Sequence, residues 1–247
     1  MAQLLTDVFA AAPRFIGVVT PSGNTVVERV TMAILRHFPG VTPLFSRTPV
    51  FGESDPFPTS YGIDDMLTAA RLLAHAKPEV LLWNGSKGAK IGVQHDRDLV
   101  ARVQAETGIR ATTSILALDD LLRNRGLIRI AIVSPYDDDY QGGLVAAYRD
   151  AGYDVVAERH RALRDNISFA SIPADAIETM VREAASHKPD AVLTLCTNFP
   201  AATVIPALEA ETGIPMFDSV SIGVWHALRL AGLDTRPAAA WGRVFTS

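Results

Sequence analysis

The most reactive side-chain type in the sequence, the thiol, occurs once, at Cys196. The segment KPDAVLTLCT (188–197) repeats KPEVLLWNGS (77–86), and in this register Cys196 falls on Gly85 at a shift of 111 residues. Each segment is an apolar strand that ends in a turn of small residues, where α/β folds place their chemistry. A duplicated fold with one thiol predicts a single acid/base or nucleophile. A single thiol also argues against the symmetric pair of catalytic bases that a two-base enzyme needs.

An isolated cysteine is more often a buried, inert residue than a reactive one. The position of Cys196 at the end of a predicted strand favours the reactive interpretation. Thr197 and Asn198 follow at a predicted helix start, where the partial positive charge of the helix N-terminus favours a thiolate. The sequence therefore predicts a lowered thiol pKa.

Two other predicted turns carry polar side chains that suit an anionic ligand. In PSGNT, Ser22 and Asn24 either cap the following helix or, with exposed N–H groups, hold a carboxylate. In NGSKG, Ser86 is a hydrogen-bond donor, and Lys87 is either a solvated charge or a partner for a substrate carboxylate. This second turn lacks the spacing of a nucleotide-binding phosphate loop.

A further turn, SPYDDDY, offers a phenol and three acids. Tyr136 is suited to donate a hydrogen bond to an oxyanion. The acids at 137–139 suggest a metal site, but consecutive residues point in different directions and acids before a helix act as caps. Asn166, in RDNIS, is either a turn residue or another amide donor. The histidines show no metal-binding spacing, so we expect no metal.

Two more repeats support a duplication. Residues 106–127 match residues 211–233 at a shift of 105, and residues 15–21 match residues 129–135 at a shift of 114. The repeats come in the same order in both halves, and loop insertions explain the different shifts. They predict an N-terminal lobe of residues 1–128 and a C-terminal lobe of residues 129–247, with a tail after Leu233 that crosses back or stays loose.

Short apolar strands alternate with helical patterns, which predicts βαβ units and parallel sheets. The predicted helices cover residues 25–37, 98–106, 142–151, 174–186 and 202–212. A Pro-rich stretch at 49–62 predicts a long loop. In such sheets the ligand lies beyond the carboxyl ends of the strands. The polar turns are therefore expected to line one cleft between the lobes.

Composition narrows the class of protein. The chain has 247 residues, of which 48% are hydrophobic and 20% charged, and a net charge of −4. This net charge does not indicate the positive surface that binding to nucleic acid or to an anionic membrane needs. One cysteine excludes an internal disulfide and fits a reducing cytoplasm. The first 15 residues lack a basic region typical of a signal peptide, and no apolar run is long enough to span a membrane.

With PSGNT, SPY, DN and LCTN in this order, the chain resembles the aspartate/glutamate racemase superfamily, and most closely its maleate isomerase and arylmalonate decarboxylase branch. The resemblance covers nearly the whole chain. It implies two Rossmann-like lobes with parallel four-stranded sheets, related by pseudo-twofold symmetry, around a cofactor-free site in the interlobe cleft. It also implies that Asn24, Asn166 and Tyr136 line that site, with Ser22 in an anion loop.

The same resemblance matches Cys196 to the catalytic cysteine of the second lobe and Gly85 to that of the first. Racemases and maleate isomerases of this superfamily use both cysteines, and Gly85 cannot replace one. Arylmalonate decarboxylases share the asymmetry of a glycine in the first lobe and a cysteine in the second. In those enzymes hydroxyl residues after the glycine hold an enediolate; here Ser86 fits, while Lys87 replaces the next hydroxyl.

We therefore expect an enzyme that needs no cofactor and decarboxylates a malonate-type diacid. The alternatives are a maleate isomerase or racemase-like enzyme that uses Cys196, and a two-lobed carboxylate-binding protein. The expected partner is a small carboxylic or dicarboxylic acid, with neither nucleic acid nor membrane, and a homo-oligomer is left open. The expected site consists of catalytic Cys196 and Tyr136 and substrate-binding Ser22, Asn24, Gly85, Ser86, Asn166 and Thr197.

Overall fold

The computed structural model describes residues 13–50 and 59–246. The first half of the chain forms a parallel sheet with the strand order β2-β1-β3-β4. Its strands are β1 (Arg14–Pro21), β2 (Val41–Thr48), β3 (Val80–Trp83) and β4 (Arg110–Thr113). We call the part of the molecule built on this sheet the first lobe.

The second half forms another parallel sheet, with the equivalent strand order β6-β5-β7-β8. Its strands are β5 (Arg129–Val133), β6 (Asp154–Arg159), β7 (Ala191–Thr194) and β8 (Met216–Asp218). This sheet is the base of the second lobe. The matching strand orders confirm the predicted pair of parallel four-stranded sheets.

Helices connect the strands and cover both sheets, as parallel pairing requires. They are α1 (Val27–Leu35), α2 (Ile63–Ala74), α3 (Gly88–Ile91), α4 (Val93–Thr107), α5 (Ser114–Arg125), α6 (Asp138–Asp150), α7 (Asn166–Ala170), α8 (Ala174–Ala185), α9 (Ile205–Thr212) and α10 (Ser219–Leu230). The sequence shift of 111 residues carries β3 onto β7, and the shift of 105 carries α5 onto α10.

The core joins the two lobes. Apolar side chains of β1, β3, β5 and β7 belong to one continuous buried cluster that includes residues from both sheets. A smaller cluster lies between the first sheet and helices α2 and α4. All four residues of β3 and of β7 are buried, which is why these strands lack polar alternation.

Helix α10 belongs to the second lobe by sequence but packs on the first, against α5 and β3. Gly223 makes this close approach possible. A Cβ added there would lie 2.5 Å from Ser114 Oγ and 3.2 Å from Leu82 Cδ1. The absence of a side chain lets the backbone of α10 rest directly on the first lobe.

The helix predicted at 174–186 agrees with α8 to within one residue, whereas the one predicted at 25–37 extends two residues beyond each end of α1. Helix α4 starts at Val93 rather than at residue 98, and α6 starts at Asp138 rather than at residue 142 because Asp137 caps it. A short 3-10 turn, Ala201–Thr203, precedes α9, so that helix begins only at Ile205.

The C-terminal tail crosses back over the molecule instead of staying loose. It forms two 3-10 turns, Arg236–Trp241 and Arg243–Thr246, and contacts α1 and α10. Phe245 in this tail is completely buried. Most of the predicted 49–62 loop, at residues 51–58, and the N-terminal residues 1–12 lie outside the described residues. Across the part that is described, no helix has both the length and the apolar character to span a membrane.

Candidate active site

A cavity of about 530 Å³ opens at the carboxyl ends of the strands, between the two lobes. The structure brings together side chains from four different turns at its wall. These lining residues include Asn24 after β1, Ser86 after β3, Tyr136 after β5, and Cys196 and Thr197 after β7. The cavity lies where the crossing connections of parallel sheets leave a crevice for ligands.

Cys196 is held in a strained backbone conformation at this cavity. Its φ angle is 129°, a region that favours glycine. The Cys196 N–H donates to Ser219 Oγ at 3.3 Å. Strain of this kind collects at functional sites, where the surrounding structure enforces it. The thiol is buried but forms part of the cavity wall.

Burial raises the pKa of the Cys196 thiol to about 11. Hydrogen bonds from the Tyr136 phenol and from the N–H groups of Asn198 and Phe199 act in the opposite direction, and the Asp218 charge adds to the rise. The predicted lowering of this pKa is therefore wrong. The reason is that no α-helix begins directly after the cysteine, and desolvation outweighs the nearby donors. At neutral pH, Cys196 is a thiol that can donate a proton.

Tyr136 stands beside the thiol. Its hydroxyl shares a hydrogen bond of 3.1 Å with Ser86 Oγ, which links the two lobes across the cavity. Its ring packs on Tyr140, with centroids 4.1 Å apart, and meets Phe169 edge-on at 5.5 Å. Burial keeps the pKa of the Tyr136 phenol well above its usual value. The phenol is therefore a neutral hydrogen-bond donor with a fixed orientation.

Asn24 both caps a helix turn and connects the lobes. Its Oδ1 accepts hydrogen bonds from the N–H groups of Val26 and Val27 at 2.9 and 2.8 Å. Its Nδ2 donates to Thr197 Oγ1 at 3.1 Å. The capping interpretation and the site interpretation both apply to this residue, because the capped side chain lines the cavity.

Ser22 lies differently from the other expected binding residues. It is exposed, and it is not among the residues that line the cavity. Its Oγ accepts a hydrogen bond from the Val50 N–H at 3.1 Å. In this structure Ser22 joins Val50, two residues after the end of β2, to the turn after β1.

Asn166, the first residue of α7, lines the cavity as the resemblance implies. A Cβ on Gly23 would lie 3.4 Å from Asn166 Nδ2, so this glycine lets the amide lie close to the first-lobe turn. Asn198 completes the connection: its Oδ1 accepts from the Thr25 N–H at 2.8 Å, and its Nδ2 donates to the Asn166 carbonyl. We did not select Asn198 from the sequence, although it directly follows Cys196 and Thr197.

Gly85 marks the main difference between the two lobes. A Cβ added to Gly85 would lie 2.2 Å from Cζ2 and 2.4 Å from Cε2 of the Trp83 indole. The indole therefore fills the space that a side chain at residue 85 would need. Trp83 lines the cavity, whereas Gly85 does not.

Charged side chains surround part of the cavity. Lys87 and Lys90 line it from the first lobe, and Lys90 Nζ lies 4.2 Å from the centre of the Tyr140 ring, a cation–π contact. Arg164 lines it from the second lobe and pairs with Asp137 at 3.0 Å. Asp137, the first of the three consecutive acids, is thus a helix cap, as the sequence favoured, and an ion-pair partner.

A buried carboxyl behind the first-lobe wall was missed by sequence reasoning. Asp96, on α4, accepts a hydrogen bond of 3.1 Å from the hydroxyl of Tyr61, which itself lines the cavity. A Cβ on Gly88 would lie 1.6 Å from Asp96 Oδ2. Burial raises the pKa of Asp96 to about 7. This carboxyl therefore holds the wall residue Tyr61 in place and lies close against Gly88, which follows the turn after β3.

The two sheets of equal strand order and the cleft with one thiol agree with the comparisons with known proteins, which place the chain among the enzymes, lyases or isomerases, of the maleate isomerase and arylmalonate decarboxylase branch. The family model described as arylmalonate decarboxylase matches residues 59–245. The chain belongs to this family.

Individual relatives come from both activities of the branch. The chain is 28% identical to a maleate isomerase from Nocardia farcinica, over 87% of this chain and 89% of that protein. It is 26% identical to an arylmalonate decarboxylase from Bordetella bronchiseptica, over 72% of this chain and 75% of that protein. The crystal structure of the maleate isomerase Iso from Pseudomonas putida S16 matches with a TM-score of 0.86 and 22% identity, over 95% of this chain and 98% of that one. This last match supports the fold.

Proposed function

We propose that this enzyme decarboxylates a malonate-type diacid and that Cys196 protonates the resulting enediolate, without a cofactor. The observation that carries the proposal is the filled space at Gly85. The Trp83 indole lies 2.2 Å from the position of a Cβ there, so the first lobe has neither a thiol nor room for one. Chemistry that needs a thiol on each side of the substrate is thereby excluded.

The hydroxyl groups of Ser86 and Tyr136 form the proposed binding site for the carboxylate that remains. They lie 3.1 Å apart, and Tyr136 is a neutral donor. Donors fixed in this way stabilise the negative charge that develops on the two oxygens of an enediolate. Asn24 and Asn166 supply further amide groups at the same wall.

The other carboxylate is proposed to lie against the apolar part of the wall, formed by Tyr61, Met66 and Trp83. All three side chains are buried. Removal of water from a carboxylate there favours its loss as neutral carbon dioxide. The bond between the α-carbon and this carboxylate breaks, and its electron pair passes into the enediolate.

Cys196 then transfers its S–H proton to the α-carbon, and the thiolate takes a proton from water. A thiol with a pKa of about 11 is protonated at neutral pH and is suited to general acid catalysis. Because the proton comes from one face of the cavity, the product is expected to be a single enantiomer.

A second candidate is cis–trans isomerisation of maleate, favoured by the 28% identity to a maleate isomerase. In that case Cys196 would act as the nucleophile. A raised thiol pKa lowers the thiolate fraction and counts against this route. The alternative of a carboxylate-binding protein finds no support, since the relatives of both kinds are enzymes.

The deciding experiment is proton NMR of the enzyme in D₂O with a panel of substituted malonates and with maleate. Decarboxylation predicts loss of one carboxylate and incorporation of one deuterium at the α-carbon. The Cys196→Ala variant is the control and should form no product. Fumarate formed from maleate, without any decarboxylation, would refute the proposal in favour of the isomerase.

A further inference from the structure

Asp218 is the last residue of β8, the strand that pairs with the strand leading to the thiol. Strands β7 and β8 pair in a register that places Thr194 opposite Asp218, two residues before Cys196. The next residue, Ser219, donates from Oγ to the Thr194 carbonyl at 2.9 Å and accepts from the Cys196 N–H at 3.3 Å. The end of β8 therefore fixes the backbone that carries the thiol.

The carboxyl of Asp218 is only partly used in structural hydrogen bonds. Its Oδ1 caps α10 by accepting from the N–H groups of Val220 and Ser221 at 3.0 and 2.9 Å. Its Oδ2 is buried and accepts no hydrogen bond of normal geometry within the described residues. Burial raises the pKa of Asp218 to about 6, so the group still carries a negative charge at neutral pH.

The first lobe shows that the cap itself needs no charge. The shift of 105 residues places Thr113 at the position of Asp218, as the last residue of its strand. Thr113 caps α5 by accepting a hydrogen bond from the Leu116 N–H at 2.9 Å. A neutral hydroxyl thus does in the first lobe what a carboxyl does in the second. The charge is an additional feature, and it occurs only in the lobe that contains the thiol.

We propose that Asp218 is a positioning residue: it fixes the backbone of Cys196 through Ser219, and its negative charge disfavours the thiolate that is left after proton transfer to the enediolate. The inference rests on the proposed function of Cys196 as a proton donor. The titratable groups that face the thiol are Tyr136, from the turn after β5, and Asp218, from the end of β8. Tyr136 donates a hydrogen bond and favours the thiolate, whereas the like charge of Asp218 disfavours it.

The charge also has a consequence for turnover. After proton transfer, a thiolate would lie beside a carboxylate in a site with little water. Repulsion between the two charges makes this state short-lived and returns a proton from solvent to the sulfur. Asp218 thereby restores the thiol for the next substrate molecule.

The test uses two variants that keep a capping side chain and remove the charge. Asp218→Asn retains the acceptor oxygen, and Asp218→Thr copies Thr113 of the first lobe. Because Cys196 is the only cysteine, thiolate absorbance and the rate of alkylation report on it alone. We expect its pKa to fall by about one unit and alkylation at a fixed pH to accelerate about tenfold.

Asp96→Asn is the matched control, because it neutralises a buried carboxyl that does not act on the thiol. It should leave the pKa of Cys196 unchanged. In the Asp218 variants the alkaline limb of kcat should move to lower pH by the same shift, while KM stays constant. A purely structural role for Asp218 would not move the thiol pKa.

A folded Asp218 variant with an unchanged Cys196 pKa would overturn the inference. If neither variant folds, the wild-type enzyme with isotope-labelled cysteine provides the measurement. The Cβ resonance of Cys196 should then shift as Asp218 titrates near pH 6, and the absence of a shift would contradict the proposal. The thiolate absorbance, the alkylation rate and the Cβ resonance need no substrate, so these three readouts stand even if the decarboxylase proposal fails.

Discussion

The first and second lobes have the same framework but different side chains at the ends of their strands. Strands β3 and β7 are related by a constant shift, as are helices α5 and α10. The equivalent residues at the carboxyl ends of the strands nevertheless differ in size and charge: Trp83 with Thr194, Gly85 with Cys196, and Thr113 with Asp218.

The difference separates two tasks between the lobes. The first lobe contributes a filled wall and the Ser86 hydroxyl, and it has no thiol. The second contributes the thiol, the phenol of Tyr136 and the buried carboxyl of Asp218 at the end of the paired strand β8. The two lobes therefore share a framework, but differences at a few equivalent positions leave the thiol in the second lobe alone.

The largest effect is expected when the second lobe is made to copy the first. Cys196→Gly gives both lobes a glycine at this position. It also relieves backbone strain, because glycine adopts a φ angle of 129° without a steric penalty. We expect kcat to fall by about 10³-fold, the usual contribution of a positioned general acid. Turnover of the NMR-identified substrate provides the measurement. Cys196→Ala should be equally inactive, and a Cys196→Gly enzyme with most of its activity would contradict the prediction.

Each lobe also contains a buried carboxyl, Asp96 on α4 and Asp218 at the end of β8, and the one in the first lobe predicts a pH effect. The pKa of Asp96 is about 7 in the folded state, above its usual 3.8. Folded protein therefore binds more protons than unfolded protein between these values, and the free energy of unfolding falls as pH rises from about 4 to 7.

Asp96→Asn removes this titration and should flatten that part of the stability profile. The difference between wild type and variant should change by roughly 2–4 kcal/mol between pH 4 and pH 8, in favour of the variant at high pH. Urea unfolding at a series of pH values measures it. Parallel profiles for the two proteins would show that Asp96 does not titrate as described.

The reverse substitution, Gly85→Cys, introduces into the first lobe the thiol that the second lobe has at the equivalent position. Gly85→Cys brings a Cβ within 2.2 Å of the Trp83 indole, and we expect a loss of about 2 kcal/mol of unfolding free energy from overpacking. Trp83→Thr copies Thr194 of the second lobe and opens this space. In a double-mutant cycle, Gly85→Cys should cost much less in the Trp83→Thr background. Equal costs in both backgrounds would mean that the indole is not the obstacle.

The smallest effect concerns the connection between the lobes. Asn198→Ala removes the hydrogen bonds to Thr25 and Asn166, which should lower the free energy of unfolding by about 1 kcal/mol. Asn198→Asp keeps the acceptor for Thr25 but loses the donor to Asn166, and its stability should be intermediate. Thermal unfolding measures both. No change in Asn198→Ala would show that these bonds are replaced by water without cost.

The fold was predictable because the same apolar runs and turn residues recur in both halves of the chain, and such patterns are visible in the local sequence. The match of KPEVLLW with KPDAVLT identified β3 and β7. Helix ends were harder, since the start of α6 depends on Asp137 acting as a cap rather than on the Gly142–Gly143 pair further along.

The candidate site was predictable only where chemistry follows a strand directly. Cys196, Tyr136, Ser86 and Asn24 all reach the cavity wall. The contact between Asp96 and Tyr61 joins residues that are 35 positions apart in the sequence, and no local sequence pattern predicts it. The thiol pKa was predicted with the wrong sign, because burial depends on the packing of the whole molecule and not on the neighbouring residues.

The packing of α10 against the first lobe affects how ligands enter and leave the cavity. At Gly223 this helix rests with its backbone against Ser114 and Leu82, so that hinge opening of the lobes would expose part of the shared core. We therefore expect the lobes to move as one body. Substrate and product then exchange through local motion of the turns at the cavity mouth, and the rate of that motion sets an upper limit on turnover.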